Sequence, residues 1–229
     1  MKSLSQLLQD QQRFFIVPMD HPLGEDTKQL AKIGVQNFVN KIDDLGHDGY
    51  IFHSREYFKK PMETKKDFFL TVGEAPDNYL ADISQLERFP NIKNLTIFFE
   101  VKDKKDEFGY EFYKDYVKEL KKRGFYVMAM GFPAAENCDF YQHIADIAKR
   151  LGCDALKTDL FEGIEKLDLG EMRLCIGGGQ FMEEEKFDQF VKEVAALKIA
   201  SCSFGRNIFE VLNYRERIKK VLQELGRIG

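Results

Sequence analysis

Short apolar runs alternate along this chain with longer stretches of helical period. Eight runs read as strands: Phe14–Met19, Tyr50–His53, Phe68–Val72, Leu95–Val101, Phe125–Met130, Ala155–Leu160, Arg173–Ile176 and Ile199–Phe204. Between them, Phe112–Lys122 places Phe112, Tyr116, Val117 and Leu120 on one face, with charged residues opposite. Phe140–Leu151 repeats the device with Ile144, Ile147, Ala148 and Leu151, and stops at Gly152. Glu183–Leu197 opens on three glutamates, which favour a helix N-terminus, and turns Phe187, Phe190, Val191 and Val194 inward. Tyr214–Leu225 carries Ile218, Val221, Leu222 and Leu225. Leu80–Phe89 is the weakest helical pattern and Phe68–Val72 the weakest strand.

Strands that are apolar throughout and separated by helices imply a parallel sheet covered on its outer face. Eight such units in 229 residues match a single-domain (β/α)8 TIM barrel spanning residues 1–229. An open doubly wound sheet is the alternative, but no GxGxxG follows the first run, where a dinucleotide fold needs it.

Composition narrows the function classes. A net charge of −4 gives no electrostatic footprint for nucleic acid or an anionic membrane. The first residues lead into the polar stretch Gln9–Arg13 without an apolar signal segment, and no apolar stretch exceeds eight residues. The four cysteines (Cys138, Cys153, Cys175, Cys202) form no CxxC and no zinc-ligand spacing. A reducing cytoplasm is the expected location. His21, His47, His53 and His143 form no HxH or HxxH pair, so neither a metal nor another cofactor is expected. His47 reads as inert at the barrel bottom, and His143 as a surface or packing residue. No GxSxG elbow or Walker loop is present. The segment Lys102–Glu107 reads as a solvated loop on the active-site side.

In a barrel the chemistry lies at the C-terminal ends of the strands. The first run ends Val17-Pro18-Met19-Asp20-His21-Pro22, a carboxylate and an imidazole framed by prolines; a turn with a helix cap explains the same residues equally well. In the sixth run, alternation puts Ala155, Lys157 and Asp159 on one face and Leu156, Thr158 and Leu160 on the other. If the leucines meet the helices, Lys157 lies inside. A buried ammonium is costly unless paired, so either a neutral amine ready to attack a ketone or a salt bridge to Asp159 or Asp20 is expected. The seventh run ends Gly177-Gly178-Gly179-Gln180, and the eighth leads into Phe204-Gly205-Arg206-Asn207-Ile208-Phe209. Glycines there let backbone N–H groups approach an anion, and Arg206 adds a charge-assisted donor. Loops at these two strand ends are the usual phosphate cradle of barrel enzymes, although either motif alone can be a plain turn.

These motifs, in this order over nearly the whole chain, resemble the archaeal-type class I fructose-bisphosphate aldolases, the DeoC/FbaB-like aldolase family. The resemblance implies that Lys157 forms an iminium with a phosphorylated ketose, that Asp20, beside His21, orients the carbinolamine, and that Gly178, Gly179, Gly205 and Arg206 hold a phosphate. The family's Tyr-Pro-Arg-Gly stretch after the fifth strand departs here to Phe132-Pro133-Ala134-Ala135. Phe132 has no hydroxyl for proton transfer; Glu100, Asp159, His21 and His53 are the candidates to replace it. The expected reaction is reversible C–C cleavage of a phosphorylated ketose such as fructose 1,6-bisphosphate. A ketol or acyl transferase, a non-catalytic phosphosugar-binding barrel and a proton-abstracting isomerase are the alternatives. The expected partners are a phosphorylated ketose or aldehyde and further copies of the chain in a homo-oligomer.

Overall fold

The computed structural model describes residues 4–10, 12–20, 27–134, 140–197 and 201–228. Each apolar run is a strand: β1 (Phe15–Pro18), β2 (Gly49–His53), β3 (Asp67–Glu74), β5 (Asn94–Val101), β6 (Tyr126–Pro133), β7 (Ala155–Thr158), β8 (Arg173–Gly177) and β9 (Ser201–Ser203). A two-residue strand, β4 (Tyr79–Leu80), turns back antiparallel on β3. Eight parallel strands with flanking helices make the fold a (β/α)8 TIM barrel. The four strongly periodic segments are the long helices α6 (Phe108–Lys122), α7 (Tyr141–Leu151), α8 (Glu184–Ala196) and α10 (Tyr214–Glu224). The pattern did not reveal α1 (Leu4–Gln9), α2 (Lys28–Ile33), α3 (Val35–Ile42), α4 (Ser54–Tyr57) or α9 (Arg206–Phe209), and α5 (Ile83–Glu87) is short. Apart from α3 these are six residues or shorter, too short to sustain a period; α3 carries Val35, Phe38, Val39 and Ile42 at helical spacing, and it is divided from α2 by Gly34 at φ 84°, a left-handed conformation suited to glycine. Among the described residues no helix is long and apolar enough to cross a membrane.

The chain divides into two compact units, Phe69–Cys175 and the combination of Met1–Phe68 with Ile176–Gly229. Within the first, β3, β5, β6 and β7 lie side by side in parallel register. Two glycines show which face meets the helices. A Cβ on Gly131 would sit 2.4 Å from Ile144 of α7, and one on Gly73 would sit 2.5 Å from Tyr113 of α6. The face of Gly131, with Phe99, Ala129 and Leu156, is therefore the helix side, since registered partners in a parallel ladder share a face. The other face carries Thr71 and Thr96, whose hydroxyls meet at 2.8 Å, followed by Phe98, Met130 and Lys157.

In the unit that holds both chain ends, β1 lies between β2 and β9. At the entry to β2, His47 is fully buried, with the rings of Tyr50 at 4.9 Å and Phe15 at 6.4 Å. Burial, reinforced by the Lys66 charge, pushes its imidazole down to about 3. The folded state thus refuses a proton that the unfolded chain accepts near pH 6.5, so stability falls as pH drops from about 6.5 toward 3. Thermal melts between pH 7 and 4 are expected to show a steeper loss for the parent than for His47→Leu. The gap should amount to about 1 kcal/mol or more by pH 5.

Candidate active site

Strand pairing sets up the surroundings of Lys157. The β5–β6–β7 register aligns Phe98, Met130 and Lys157 in one row on the face away from α6 and α7. Lys157 is 7% exposed, and its Nζ donates to the Met130 thioether at 3.7 Å. Among the described residues no carboxylate forms an ion pair with it, so the salt bridge that would make it a structural lysine is not formed. The buried Cys175 thiol on β8 feels its charge: desolvation pushes that thiol up to about 12, and Lys157 pulls in the opposite direction. A thioether and a neutral thiol compensate a buried ammonium poorly. The arrangement costs stability and leaves the side chain with no ion pair to break among the described residues.

The next tier toward the C-terminal strand ends pairs Glu100 of β5 with Phe132 of β6 in direct register. The Phe132 ring packs on Phe98 at 6.0 Å between centroids. Glu100 is exposed and lines a cleft of ≈ 900 Å³ with Ala75, Pro76, Asn78, Lys102 and Phe108. The segment 102–107 forms one wall of this cleft and is tied down. Asp106 accepts from the backbone N–H of Lys102 at 2.9 Å and of Phe108 at 3.0 Å. From α7, His143 Nε2 meets the Asp106 carbonyl at 2.9 Å, and Arg150 pairs with Glu107. His143 is thus a loop anchor on a packing face. Asp159 lies two residues beyond Lys157, half-buried.

The glycine turns belong to the other unit. The Gly178 N–H donates to the Ser203 carbonyl at 3.0 Å, so this amide belongs to the sheet. A Cβ on Gly178 would lie 3.2 Å from the Phe204 ring, and one on Gly205 would lie 2.9 Å from the Pro18 carbonyl; both glycines permit close packing of backbone. Gly179 is exposed at φ +61°, and no hydrogen bond is made by its N–H among the described residues. Arg206 reaches back to the Gly179 carbonyl at 2.9 Å. Asp20 follows β1 in the same unit and is half-buried. His21 lies outside the described residues. His53 caps α4, its Nδ1 accepting from the Arg55 N–H at 3.0 Å.

Two residues not singled out from sequence brace the turn. Asn207 is fully buried; its amide donates to the carbonyls of Gly178 (2.9 Å) and Gln180 (3.0 Å) and accepts from the Met182 N–H at 2.7 Å. Arg217, also buried, donates to the carbonyls of Asn207 and Met182 and lies over the Phe187 ring at 4.8 Å. A polar side chain between Arg206 and the apolar pair Ile208-Phe209 was the available signal for Asn207. Among the described residues no group of three or more His, Cys, Asp or Glu is placed to hold a metal ion.

No family model and no curated protein matches this chain. Solved structures do. An archaeal fructose 1,6-bisphosphate aldolase superposes with a TM-score of 0.78 at 16% identity, over 96% of this chain and 97% of that one. A Schiff-base-forming fructose-1,6-bisphosphate aldolase gives 0.76 at 16% identity, over 96% and 98%. A third, an archaeal fructose-1,6-bisphosphate aldolase with its catalytic lysine covalently bound to the carbinolamine of the substrate, gives 0.74 at 15% identity, over 96% and 98%. The chain shares its fold with Schiff-base aldolases. At 15–16% identity the likeness is one of fold, and function rests on the residues themselves.

Proposed function

We propose that this chain is a class I aldolase-like lyase that cleaves or forms a C–C bond in a phosphorylated ketose through an iminium on Lys157. The observation that carries this reading is a buried lysine on β7 whose polar neighbour is a thioether and not a carboxylate. Such a group costs stability where an apolar side chain would add it, which fits an amine kept for chemistry. The shared fold with Schiff-base aldolases supports the same reading.

In this reading the Lys157 amine adds to the ketone, and the iminium that follows is the electron sink for C–C cleavage, so no metal is required for that step. Asp20 and His21 assist formation of the carbinolamine. The Gly179 amide and the Arg206 guanidinium hold a phosphate, while Gly178 and Gly205 let the backbone pack closely enough to shape the turn. Arg206→Ala is expected to weaken binding of fructose 1,6-bisphosphate by about 1–3 kcal/mol, the cost of losing a charged hydrogen bond. Calorimetric titration checks this, and an unchanged affinity removes Arg206 from the phosphate site.

The deciding experiment is borohydride reduction in the presence of a panel of phosphorylated ketoses, with peptide mass spectrometry to locate the adduct. A reduced adduct on Lys157 is the expected result. Phe132 at the family's tyrosine position favours one second reading, a phosphosugar-binding barrel without turnover. That reading predicts binding of the same esters and no adduct.

A further inference from the structure

The iminium reading leaves the β-hydroxyl proton of the substrate without an acceptor, because Phe132 carries no hydroxyl. We infer that Glu100 is the general base and acid of this chain, taking the proton-transfer role from the strand next to Phe132. The inference rests on the Schiff-base reading of Lys157.

Three observations carry it. First, the parallel β5–β6 register places Glu100 directly opposite Phe132, and registered partners in a parallel ladder project from the same face. A carboxylate on β5 therefore points to the side that a tyrosine on β6 would serve. Second, that face is the one carrying Lys157, because the row immediately below runs Phe98, Met130, Lys157. Adjacent strands lie about 4.8 Å apart and a strand rises about 3.3 Å per residue, so two strands and two residues separate the Glu100 and Lys157 Cα atoms by on the order of 12 Å. Two extended side chains across that span leave room for the ketose carbons between an iminium and its β-hydroxyl. Third, Glu100 is exposed, and its carboxylate makes no hydrogen bond or ion pair among the described residues. It can move to a substrate without breaking an existing contact.

The other carboxylates on this face fit less well. Glu74 shares the Lys157 row but lies one strand farther away, with Phe98 and Met130 between them. Asp159 follows the end of β7, two residues past Lys157, and it is already engaged in an interaction of its own.

The step balances as follows. With the iminium at C2 of the ketose, the Glu100 carboxylate takes the proton of the C4 hydroxyl. The C3–C4 bond breaks, its electron pair passes to the iminium nitrogen to give an enamine, and C4 leaves as an aldehyde. The protonated Glu100 then delivers that proton to C3, which restores the iminium. Water hydrolyses the iminium to release the shorter ketone and the free Lys157 amine.

The test uses Glu100→Gln in the full chain, with two substrates and two readouts. Borohydride trapping with dihydroxyacetone phosphate reports the iminium. Cleavage of fructose 1,6-bisphosphate, together with solvent deuterium exchange into dihydroxyacetone phosphate followed by NMR, reports proton transfer. The expected result is a Lys157 adduct at the parent yield, with cleavage and exchange both reduced about 100-fold or more. Glu100→Asp, which withdraws the carboxylate by one methylene, is expected to fall between the parent and Glu100→Gln. The double variant Glu100→Gln/Phe132→Tyr is expected to recover at least about 10-fold, because the hydroxyl returns to the neighbouring strand on the same face. Glu100→Gln rates within about 3-fold of the parent, with the adduct intact, overturn the role of Glu100 and leave the Schiff base standing; so does a double variant no faster than Glu100→Gln. No adduct in the parent with either ester overturns both readings.

Discussion

Lys157→Met is expected to abolish the borohydride-trapped adduct and to lower C–C cleavage on the order of 10⁴-fold or more, the scale of losing a covalent nucleophile. The same variant is expected to be as stable as the parent or more stable by about 1–2 kcal/mol, because a buried ammonium without a carboxylate partner is replaced by an apolar side chain of similar length. The opposite signs make the experiment decisive. A structural lysine would show a large stability loss, since removing one member of a buried ion pair leaves an uncompensated charge. Here the removed group leaves only the Met130 thioether without its donor, and a thioether is a weak acceptor with little to lose. Denaturant titration followed by the trapping assay measures both quantities on one preparation. A drop of more than about 2 kcal/mol in unfolding free energy would return Lys157 to a structural role.

The second large effect is expected at Asn207, which contacts no substrate in the proposed reaction. Its side chain satisfies two carbonyls and one N–H of the segment from Gly178 to Met182, all from a fully buried position. Asn207→Leu leaves these groups unpaired, at about 1–3 kcal/mol for each that water cannot reach. A loss of about 3 kcal/mol or more in unfolding free energy is expected, readable as a shift of the urea midpoint. Affinity for a phosphate ester should fall with it, because the Gly179 amide and the Arg206 contact to the Gly179 carbonyl depend on this turn. A loss below about 1 kcal/mol would mean that the turn holds itself, through the Gly178–Ser203 bond and the Arg206 contact alone.

Much of the barrel was legible because its signals are local. Ala155–Leu160 reads as a strand from six consecutive residues, and Phe140–Leu151 as a helix from a stripe that ends at Gly152, whose φ of 77° only glycine adopts readily. Most of the helices missed, such as α2 and α4, are too short to complete a period, whereas α3 carries Val35, Phe38, Val39 and Ile42 at helical spacing and was legible in the sequence. The candidate residues at strand ends were legible for a similar reason: a rule that places barrel chemistry at the C-terminal end of each strand converts strand boundaries into a short set of positions. The rule could name Gly178 as readily as Gly179. Only the fold shows that the first amide is used in the sheet and the second is left exposed.

The sequence by itself determined the alternation of strand and helix, the grouping of Lys157 with Ala155 on one face of its strand, and the absence of a hydroxyl at Phe132, because each of these depends on period or identity within a few residues. The tertiary structure decided what Lys157 touches, what braces the glycine turn, and that Glu100 stands opposite Phe132. Those facts depend on register between strands and on packing between segments remote along the chain. A one-residue slip in register would turn Glu100 toward the helices while leaving every local pattern unchanged. Lys157 was recognisable from its own strand as lying on the face opposite Leu156; that this face points away from the helices, and that Lys157 meets the Met130 thioether and no carboxylate, follows from the pairing of β6 with β7.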